Sequence, residues 1–337
     1  MPARKPLLLA VLLVLMLVLF VADLMVGSVP IEVIEVVKAL FGQAASAQSA
    51  LIVTTVRLPQ ALTAFVAGAG LAVCGLMMQT LFRNALAGPS VLGVTSGAGL
   101  GVALLMLGSG TLSGTLLQFG IVGAAFAGSM LVLLLITLAD RRVGDGVTLL
   151  IVGLMIGYLC GALVSVLEVY GSSGAVKGFV LWGMGTFGGT TRADLQWLLP
   201  TVLVGCTLAL AQAKPLNALL AGEEQAATFG VRVARVRTLT IALCGLLASI
   251  ITAFCGPVSF IGLVTPHIAR ALFRTTDHLL LFPVCLLTGA SMALLCDLIT
   301  RMPGMHGTLP LNAVTSLLGA PVVVWILMQG RNFYRSA

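Results

Sequence analysis

Residues 61–82 read ALTAFVAGAGLAVCGLMMQTLF, a stretch without a single charged side chain. A bilayer core requires about 20 consecutive apolar residues for one helical span. This stretch is therefore long enough to cross a membrane as a helix, and apolar runs of similar length recur along the whole chain. The sequence predicts an all-α, polytopic membrane protein.

The composition supports this prediction. Of the 337 residues, 59% are hydrophobic and 9% are charged, whereas soluble domains carry about 25% charged residues. A water-soluble globule could not bury so much apolar surface, so lipid must cover much of it. No polar stretch is long enough to fold separately, and we therefore expect a single transmembrane domain over residues 1–337.

The apolar runs predict ten spans. The eighth contains Pro257, Gly262 and Pro266, so we expect it to be partly unwound, with its irregular backbone buried in protein or lining an aqueous cavity. The predicted spans cover about 7–27, 61–82, 90–107, 116–139, 147–168, 193–212, 236–254, 257–273, 279–300 and 309–329.

The basic residues predict the orientation of these spans, because loops rich in Lys and Arg stay in the cytoplasm. Ten spans put both termini on one side of the membrane, and thirteen of the 18 basic residues fall on that side. The termini are thus predicted to be cytoplasmic. Those thirteen are Arg4, Lys5, Arg83, Arg141, Arg142, Lys214, Arg232, Arg235, Arg237, Arg270, Arg274, Arg331 and Arg335; the opposite side holds Lys38, Arg57, Lys177, Arg192 and Arg301.

Two amphipathic segments and two sets of glycines add local detail. Residues 31–41 should lie on the outer side, and residues 215–231 on the cytoplasmic side. The second segment is too polar to span and too regular to be a loose linker. Glycines at every fourth position predict close helix packing: Gly93, Gly97 and Gly101, and again Gly153, Gly157 and Gly161.

Several kinds of chemistry find no support in the sequence. It contains no phosphate-binding G-x-x-x-x-G-K-[ST] loop and no H-E-x-x-H metal motif, so we expect no cofactor, no metal and no catalysis. The seven cysteines lie in apolar runs without a C-x-x-C pair and are interpreted as packing residues. The positive charges are dispersed in short loops, which indicates membrane topology and not nucleic-acid binding.

Acidic residues within the spans are scarce. Asp297 lies four residues before Arg301, so the two side chains can meet on one helix face as a structural ion pair. A proton- or sodium-coupled transporter normally carries a relay of acids near the membrane centre. Because no such chain of acids is present, the sequence does not favour an ion-coupled transporter, and any energy for transport would come from elsewhere.

A set of motifs in a fixed order then becomes recognisable along nearly the whole chain. Together they resemble the FecCD-type permeases of ATP-binding-cassette importers for cobalamin, haem and ferric siderophores. The motifs are RLPQ (57–60), Gln79, RNALA (83–87), LGVTSGA (92–98), GEEQAA (222–227) with Gly230, FIGLVTPHIAR (260–270), LP (309–310) and GAP (319–321).

The resemblance implies the assembly. Such a permease is a type II importer subunit, and it forms a homodimer or pseudo-dimer in the bacterial inner membrane. Two separate ATPase subunits bind ATP and Mg²⁺ beneath it, and a periplasmic substrate-binding protein docks above. Short coupling helices, here about residues 215–231, would fit a cleft in each ATPase. The residues at the matching coupling positions are Gly222, Glu223, Ala226, Ala227 and Gly230.

The resemblance also implies docking and gating residues. Arg57 and Arg301 would pair with acidic residues on the binding protein, with Lys177 as a weaker candidate, and Gln60 stands where the family often has a second arginine. Asn84 and Leu86 would form an inner gate, although Ala85 replaces the usual proline between them. His267 is interpreted as structural.

The fifth and tenth spans would line the path between the two copies. Candidate lining residues are Met155, Gly157, Asn312 and Val323, with Thr308 and Asn312 departing from the common family residues. His306 is interpreted as a polar loop tip, with contact to a substrate metal as the minor alternative.

The substrate stays open at this point. We expect an iron chelate, either a ferric siderophore or haem, because iron substrates dominate the family; the alternative is cobalamin. Two other classes of function compete less strongly. One is an ion-coupled secondary transporter. The other is an intramembrane enzyme built on Ser96, which is misplaced for a serine-hydrolase G-x-S-x-G turn.

Overall fold

The computed structural model describes residues 4–27, 29–43, 46–108, 115–143, 146–302 and 308–329. Within these ranges every regular element is helical, which confirms the predicted all-α class. In chain order the elements are α1 (Arg4–Met25), α2 (Val33–Leu40), α3 (Ala47–Leu51), a π-helical turn (Ile52–Arg57), α4 (Leu58–Leu81), a 3-10 turn (Pro89–Leu92), α5 (Val94–Gly108), α6 (Thr115–Val143), α7 (Gly146–Tyr170), α8 (Ser173–Gly183), α9 (Arg192–Ala211), α10 (Ala213–Leu220), α11 (Glu223–Thr228), α12 (Val233–Cys255), α13 (Ile261–Phe273), α14 (His278–Thr300) and α15 (Leu311–Gln329).

Each of the ten predicted spans coincides with a helix. Among the described residues, 7 helical segments are long and apolar enough to cross a membrane: α1, residues 47–81, α6, α7, α9, α12 and α14. Helices α5, α13 and α15 carry shorter apolar stretches. The polytopic architecture is thus confirmed, whereas the crossing of all ten helices stays a prediction.

Three local features differ from the simple span pattern or refine it. The second span begins at Ala47 because the π-helical turn joins α3 to α4 without a break. Helix α8 was not predicted; Ser172 caps it by accepting a hydrogen bond from the backbone N–H of Ala175. The expected unwinding of the eighth span is confirmed, since residues 256–260 are not helical and Phe260 has a φ of 65°.

Helix α4 lies at the centre of the bundle. It packs against α14, α12, α13 and α9, and nearly all of its side chains from Pro59 to Leu81 are buried. A helix that is apolar on every side fits such a position, because protein and not lipid surrounds it. Helix α7 is the opposite case, since it is largely exposed on the single chain.

Glycines let the neighbouring backbones approach α4 closely. A Cβ atom placed on Gly68 would lie 2.3 Å from the carbonyl oxygen of Gly289 in α14. One placed on Gly75 would lie 1.6 Å from the carbonyl oxygen of Gly262 in α13. Helices in a membrane associate largely through such van der Waals contact. These two crossings therefore set the positions of α13 and α14.

The predicted packing role of the repeated glycines is confirmed in part. A Cβ atom on Gly101 would lie 2.1 Å from the carbonyl oxygen of Ala124 in α6, and one on Gly93 would lie 2.7 Å from that of Gly153 in α7. Gly161, in contrast, has no atom of another helix within 4 Å of its ideal Cβ position among the described residues. Packing within this part of the chain therefore does not require its small size.

We predict that Gly75→Ala destabilises the protein by about 1–3 kcal/mol, the usual effect of overpacking a dense core. The added methyl group would meet the backbone of α13, which cannot rotate away. The matched control is Gly99→Ala on α5, where no atom of a neighbouring element in the described part of the chain lies within 4 Å of the ideal Cβ. Thermal unfolding of the detergent-solubilised variants tests this, and equal midpoints for the two would contradict it.

Candidate functional site

The segment predicted to couple to an ATPase folds as two short helices, α10 and α11, and we call residues 213–231 the coupling segment. Gly222 separates the helices with a φ of 122°, a value that favours glycine. Ala226 is fully buried against the bundle, whereas Glu223, Ala227 and Gly230 are exposed. Beside them, the ring of Phe229 is 71% exposed. The segment therefore presents a compact apolar and acidic tip on a buried base.

A buried ion pair connects this tip to two long helices. Arg237 of α12 donates from Nε to Oδ1 of Asp140 at the end of α6, and both side chains are buried. Nη1 of the same arginine lies 3.7 Å from Oε1 of Glu223 in α11. Because Glu223 is half exposed, its share of the interaction is screened by solvent. The Asp140–Arg237 contact is the firmer of the two.

A second connection holds α10 against α14 and α4. Nδ2 of Asn217 donates to Oδ1 of Asp277 over 2.7 Å, and this hydrogen bond lowers the pKa of Asp277. Oδ1 of Asn217 accepts from the backbone N–H of His278 over 2.8 Å. On its other side, Nε2 of the buried His278 lies 2.8 Å from the hydroxyl of Thr80 in α4. The base of the coupling segment is thereby fixed to the bundle core.

The predicted inner gate is a tight turn after α4, and we call residues 84–86 the gate turn. Oδ1 of Asn84 accepts a hydrogen bond from the backbone N–H of Leu86 over 2.9 Å. Nε2 of His267 lies 2.8 Å from the carbonyl oxygen of Ala85. These two contacts hold the turn although it lacks the proline expected from the family. They also support a structural role for His267, while the gating role of Asn84 and Leu86 stays a prediction.

Arg57 and Arg301 belong to a buried cluster at the ends of α1, α4 and α14 that are predicted to face outward, and we call it the outer charge cluster. Arg301 contacts Asp23, and its Nη2 lies 2.6 Å from Oδ2 of Asp297. Nε2 of Gln60 donates to the two oxygens of Asp297 at 3.0 and 3.1 Å. The predicted Asp297–Arg301 ion pair is thus present, and Asp23 is an additional partner.

Both arginines that are predicted to dock a binding protein are largely buried in this structure. Arg57 is 3% exposed, and it donates to the carbonyl oxygens of Leu24, Met25 and Val29. The side chain of Arg301 is 11% exposed. Carbonyls at the end of α1 attract a guanidinium because they have no partner within the helix. A docking role for either arginine stays a prediction; Lys177 on α8 is exposed.

The predicted path residues divide into two groups. Met155 and Val323 are at least partly exposed, as is Gly157, so they are available to a second copy or a substrate. Asn312 is different, because its side-chain amide forms hydrogen bonds with backbone groups of the same chain. Nδ2 donates to the carbonyl oxygens of Pro257 at 2.8 Å and Gly183 at 3.2 Å, and Oδ1 accepts from the backbone N–H of Ser259.

Asn312 therefore joins the end of α8 to the unwound residues 256–260, which favours a structural role over a lining role. Thr308, which precedes α15, is exposed. His306 lies outside the described residues.

Sequence reasoning did not identify Asp23, Asp140 or His278 as partners in these clusters. Each is a titratable residue in or at the end of a predicted apolar span, and that isolation is itself a signal of a paired or functional group. The seven cysteines are buried and free, as expected of packing residues. Among the described residues, no three His, Cys, Asp or Glu side chains are grouped so that they could hold a metal ion.

Comparisons with known proteins give a consistent result. Residues 15–329 match the model of the FecCD transport family. The vitamin B12 import system permease protein BtuC of Klebsiella pneumoniae is 36% identical over 291 residues, which cover 86% of each chain. That of Salmonella typhimurium is 37% identical over 285 residues, 84% of this chain and 86% of the relative.

A solved structure agrees with these sequence relatives. It is described as an inward-facing conformation of a metal-chelate type ABC transporter, and it has a TM-score of 0.85 and 29% sequence identity. The match covers 96% of this chain and 99% of the solved chain.

We predict that Arg301→Gln destabilises the protein by about 3–5 kcal/mol, the usual loss when one partner of a buried ion pair is removed. Asp23 and Asp297 would then remain as buried carboxylates without Arg301. The triple variant Asp23→Asn, Asp297→Asn, Arg301→Gln removes these charges together and should recover most of the loss. Lys177→Gln serves as the exposed control. Thermal unfolding in detergent measures all three, and an Arg301→Gln variant as stable as the control contradicts the prediction.

Proposed function

Because the chain belongs to the FecCD transport family, we propose that it is the permease subunit of an ATP-driven importer for cobalamin. The observation that carries the cobalamin proposal is the match to vitamin B12 import permeases along 84–86% of the chain. The earlier preference for an iron chelate rested only on how common iron substrates are in the family. The named relatives favour the alternative.

An iron chelate is the second candidate. The similar solved structure is described as a metal-chelate type transporter, and cobalamin, haem and ferric siderophores are all bulky organic complexes of a metal. A wall of small and apolar residues such as Gly157, Met155 and Val323 would hold any of them weakly. In our proposal, substrate affinity resides in a periplasmic binding protein and not in this chain.

Energy enters, in our proposal, through the coupling segment. Glu223, Ala227, Phe229 and Gly230 form an exposed tip, and this tip would enter a cleft in a separate ATPase. The coupling segment would transmit force well, because Ala226 and Asn217 fix its base to the rest of the chain. ATP and Mg²⁺ would bind to the two ATPase subunits, and this chain would perform no catalysis itself.

The assembly we propose is a homodimer in the bacterial inner membrane, with both termini in the cytoplasm. The distribution of basic residues supports this orientation. The exposure of α7 on the single chain supports a second copy on that side, with the path between the copies. A binding protein docking through Arg57 and Arg301 would have to supply carboxylates that replace acceptors already present in the chain.

Uptake into proteoliposomes tests the substrate. The permease, its ATPase subunits and its binding protein are reconstituted together, and uptake of cyanocobalamin, ferrichrome and haem is compared. We expect ATP-dependent uptake of cobalamin that is insensitive to a protonophore. Uptake confined to an iron chelate would move the assignment to the second candidate. Uptake that survives ATP depletion and stops with the protonophore would indicate a secondary transporter, and so would contradict the proposal.

Replacement of Gly230 tests the coupling segment. Gly230 has a φ of 80°, and no atom of the described residues outside its immediate neighbours lies within 4 Å of its ideal Cβ, so Gly230→Val should cost the chain about 1–2 kcal/mol of backbone strain. We expect transport to fall at least about fivefold through lost coupling while the permease dimer still assembles.

Gly42→Val is the matched control, because Gly42 has a φ of 74° and equally open surroundings. It follows α2, on the predicted outer side. Equal transport by the two variants would count against the coupling role of residues 213–231.

A further inference from the structure

Arg83 connects the coupling segment to the gate turn. Its backbone immediately precedes Asn84, while its guanidinium reaches the coupling segment, where Nη2 donates to the carbonyl oxygen of Leu219 over 3.1 Å. The same nitrogen lies 3.1 Å from the position that a Cβ atom on Gly222 would occupy. Arg83 thus touches the coupling segment at the junction between α10 and α11.

The chemistry of this contact suits a cation. Leu219 is in the last turn of α10, where carbonyl groups lack partners within the helix and carry partial negative charge. Gly222 has no side chain and so leaves room for the guanidinium. Its φ of 122° separates the end of α10 from the start of α11. An arginine at this place therefore holds the end of α10 by both charge and a hydrogen bond.

The backbone of Arg83 is itself constrained. Its φ is 46°, in the left-handed region that residues other than glycine rarely adopt. Two contacts hold Arg83 in this conformation. Its side chain is bound at Leu219, and the gate turn that follows it is bound by His267. If the coupling segment moved relative to α13, residues 83–86, which are bound to both, would consequently be displaced or strained.

Space is available for such a motion. A cleft of about 420 Å³ adjoins the gate turn, and its walls are Phe82, Arg83, Asn84 and Ala85 on one side and Val147 and Leu150 of α7 on the other. The gate turn is therefore tethered at two points and open towards α7. The cleft leaves room for the turn on the side of α7, while Phe82 and Ala87 on either side of the turn are buried in the core.

We propose that Arg83 is a positioning residue that transmits movement of the coupling segment to the gate turn. This inference rests on the proposed function, since it takes residues 213–231 as the ATPase contact. It adds a specific physical link between that contact and the gate, and it predicts that the link can be broken while ATP hydrolysis continues.

Thiol labelling tests the link. Leu86→Cys is introduced into the permease, whose own seven cysteines are buried, and the assembled permease–ATPase complex is labelled with a membrane-impermeant maleimide with and without a non-hydrolysable ATP analogue. Arg83→Ala should reduce the nucleotide-dependent change in labelling rate at least about fivefold. ATP hydrolysis by the complex should stay within about twofold of its starting value, a change of under ~0.5 kcal/mol. Arg83→Lys should restore the response, because an ammonium group can still donate to the Leu219 carbonyl.

Arg274→Ala is the matched control. Arg274 has the same φ of 46° and follows α13, and its exposed side chain makes no contact with the coupling segment among those observed in the described residues. The inference is overturned if Arg83→Ala keeps the full nucleotide response, or if Arg274→Ala loses as much of it. A parent complex that shows no nucleotide response at residue 86 would overturn the proposed coupling mechanism together with this link.

Discussion

The close contact of α4 with its neighbours is the constraint on which the rest of the structure depends. Gly68 and Gly75 bring the backbones of α14 and α13 to distances that no larger residue would permit. Within lipid there is little hydrophobic force between helices, so this contact area supplies much of the association. Both crossings also fix where the ends of α4 lie, and the ends are where the polar side chains gather.

Each end of α4 carries an arginine that binds a different part of the chain. At the predicted outer end, Arg57 binds carbonyl groups in the last turn of α1, and at the predicted inner end, Arg83 binds the last turn of α10. Guanidinium groups suit both positions, because they stay charged and present several donors in a fixed geometry. Helix α4 thereby holds the end of α1 and the end of α10 at a fixed distance from each other. A mechanical linkage across the bundle requires such a fixed distance.

The fold could be predicted from the sequence to a greater extent than the site. Apolar run length identified every long helix, because the requirement of a bilayer for length and hydrophobicity acts locally along the chain. Helix α8 was missed because it is short and its capping residue, Ser172, is one of many serines in loops. Residues 215–231 were predicted to be an amphipathic segment and fold as short helices, yet the break at Gly222 depends on a backbone angle that composition does not specify.

Apart from the Asp297–Arg301 pair on one helix, the contacts within the charge clusters could not be predicted, since their members are far apart in sequence. Asp23 and Arg301 form an ion pair although they lie near opposite ends of the sequence. Asp140 and Arg237 form an ion pair between two different helices, α6 and α12. The positive-inside rule assigns a basic residue to a side of the membrane but does not say whether it is exposed there. Arg57 and Arg301 illustrate this difference, because the rule places them on the outer side and the structure shows them largely buried.

The burial of these two arginines changes what docking at the outer face would involve. Two carboxylates and two guanidiniums make the outer charge cluster formally neutral, so it offers little long-range attraction to an acidic partner. A partner that engaged Arg301 would have to displace Asp23 or Asp297, and the displaced carboxylate would then need a new partner within the bundle. Helices α1 and α14 share these contacts, so such an exchange would loosen their outer ends together. Docking through this cluster would therefore be coupled to a change in helix packing, whereas docking on the exposed Lys177 would not.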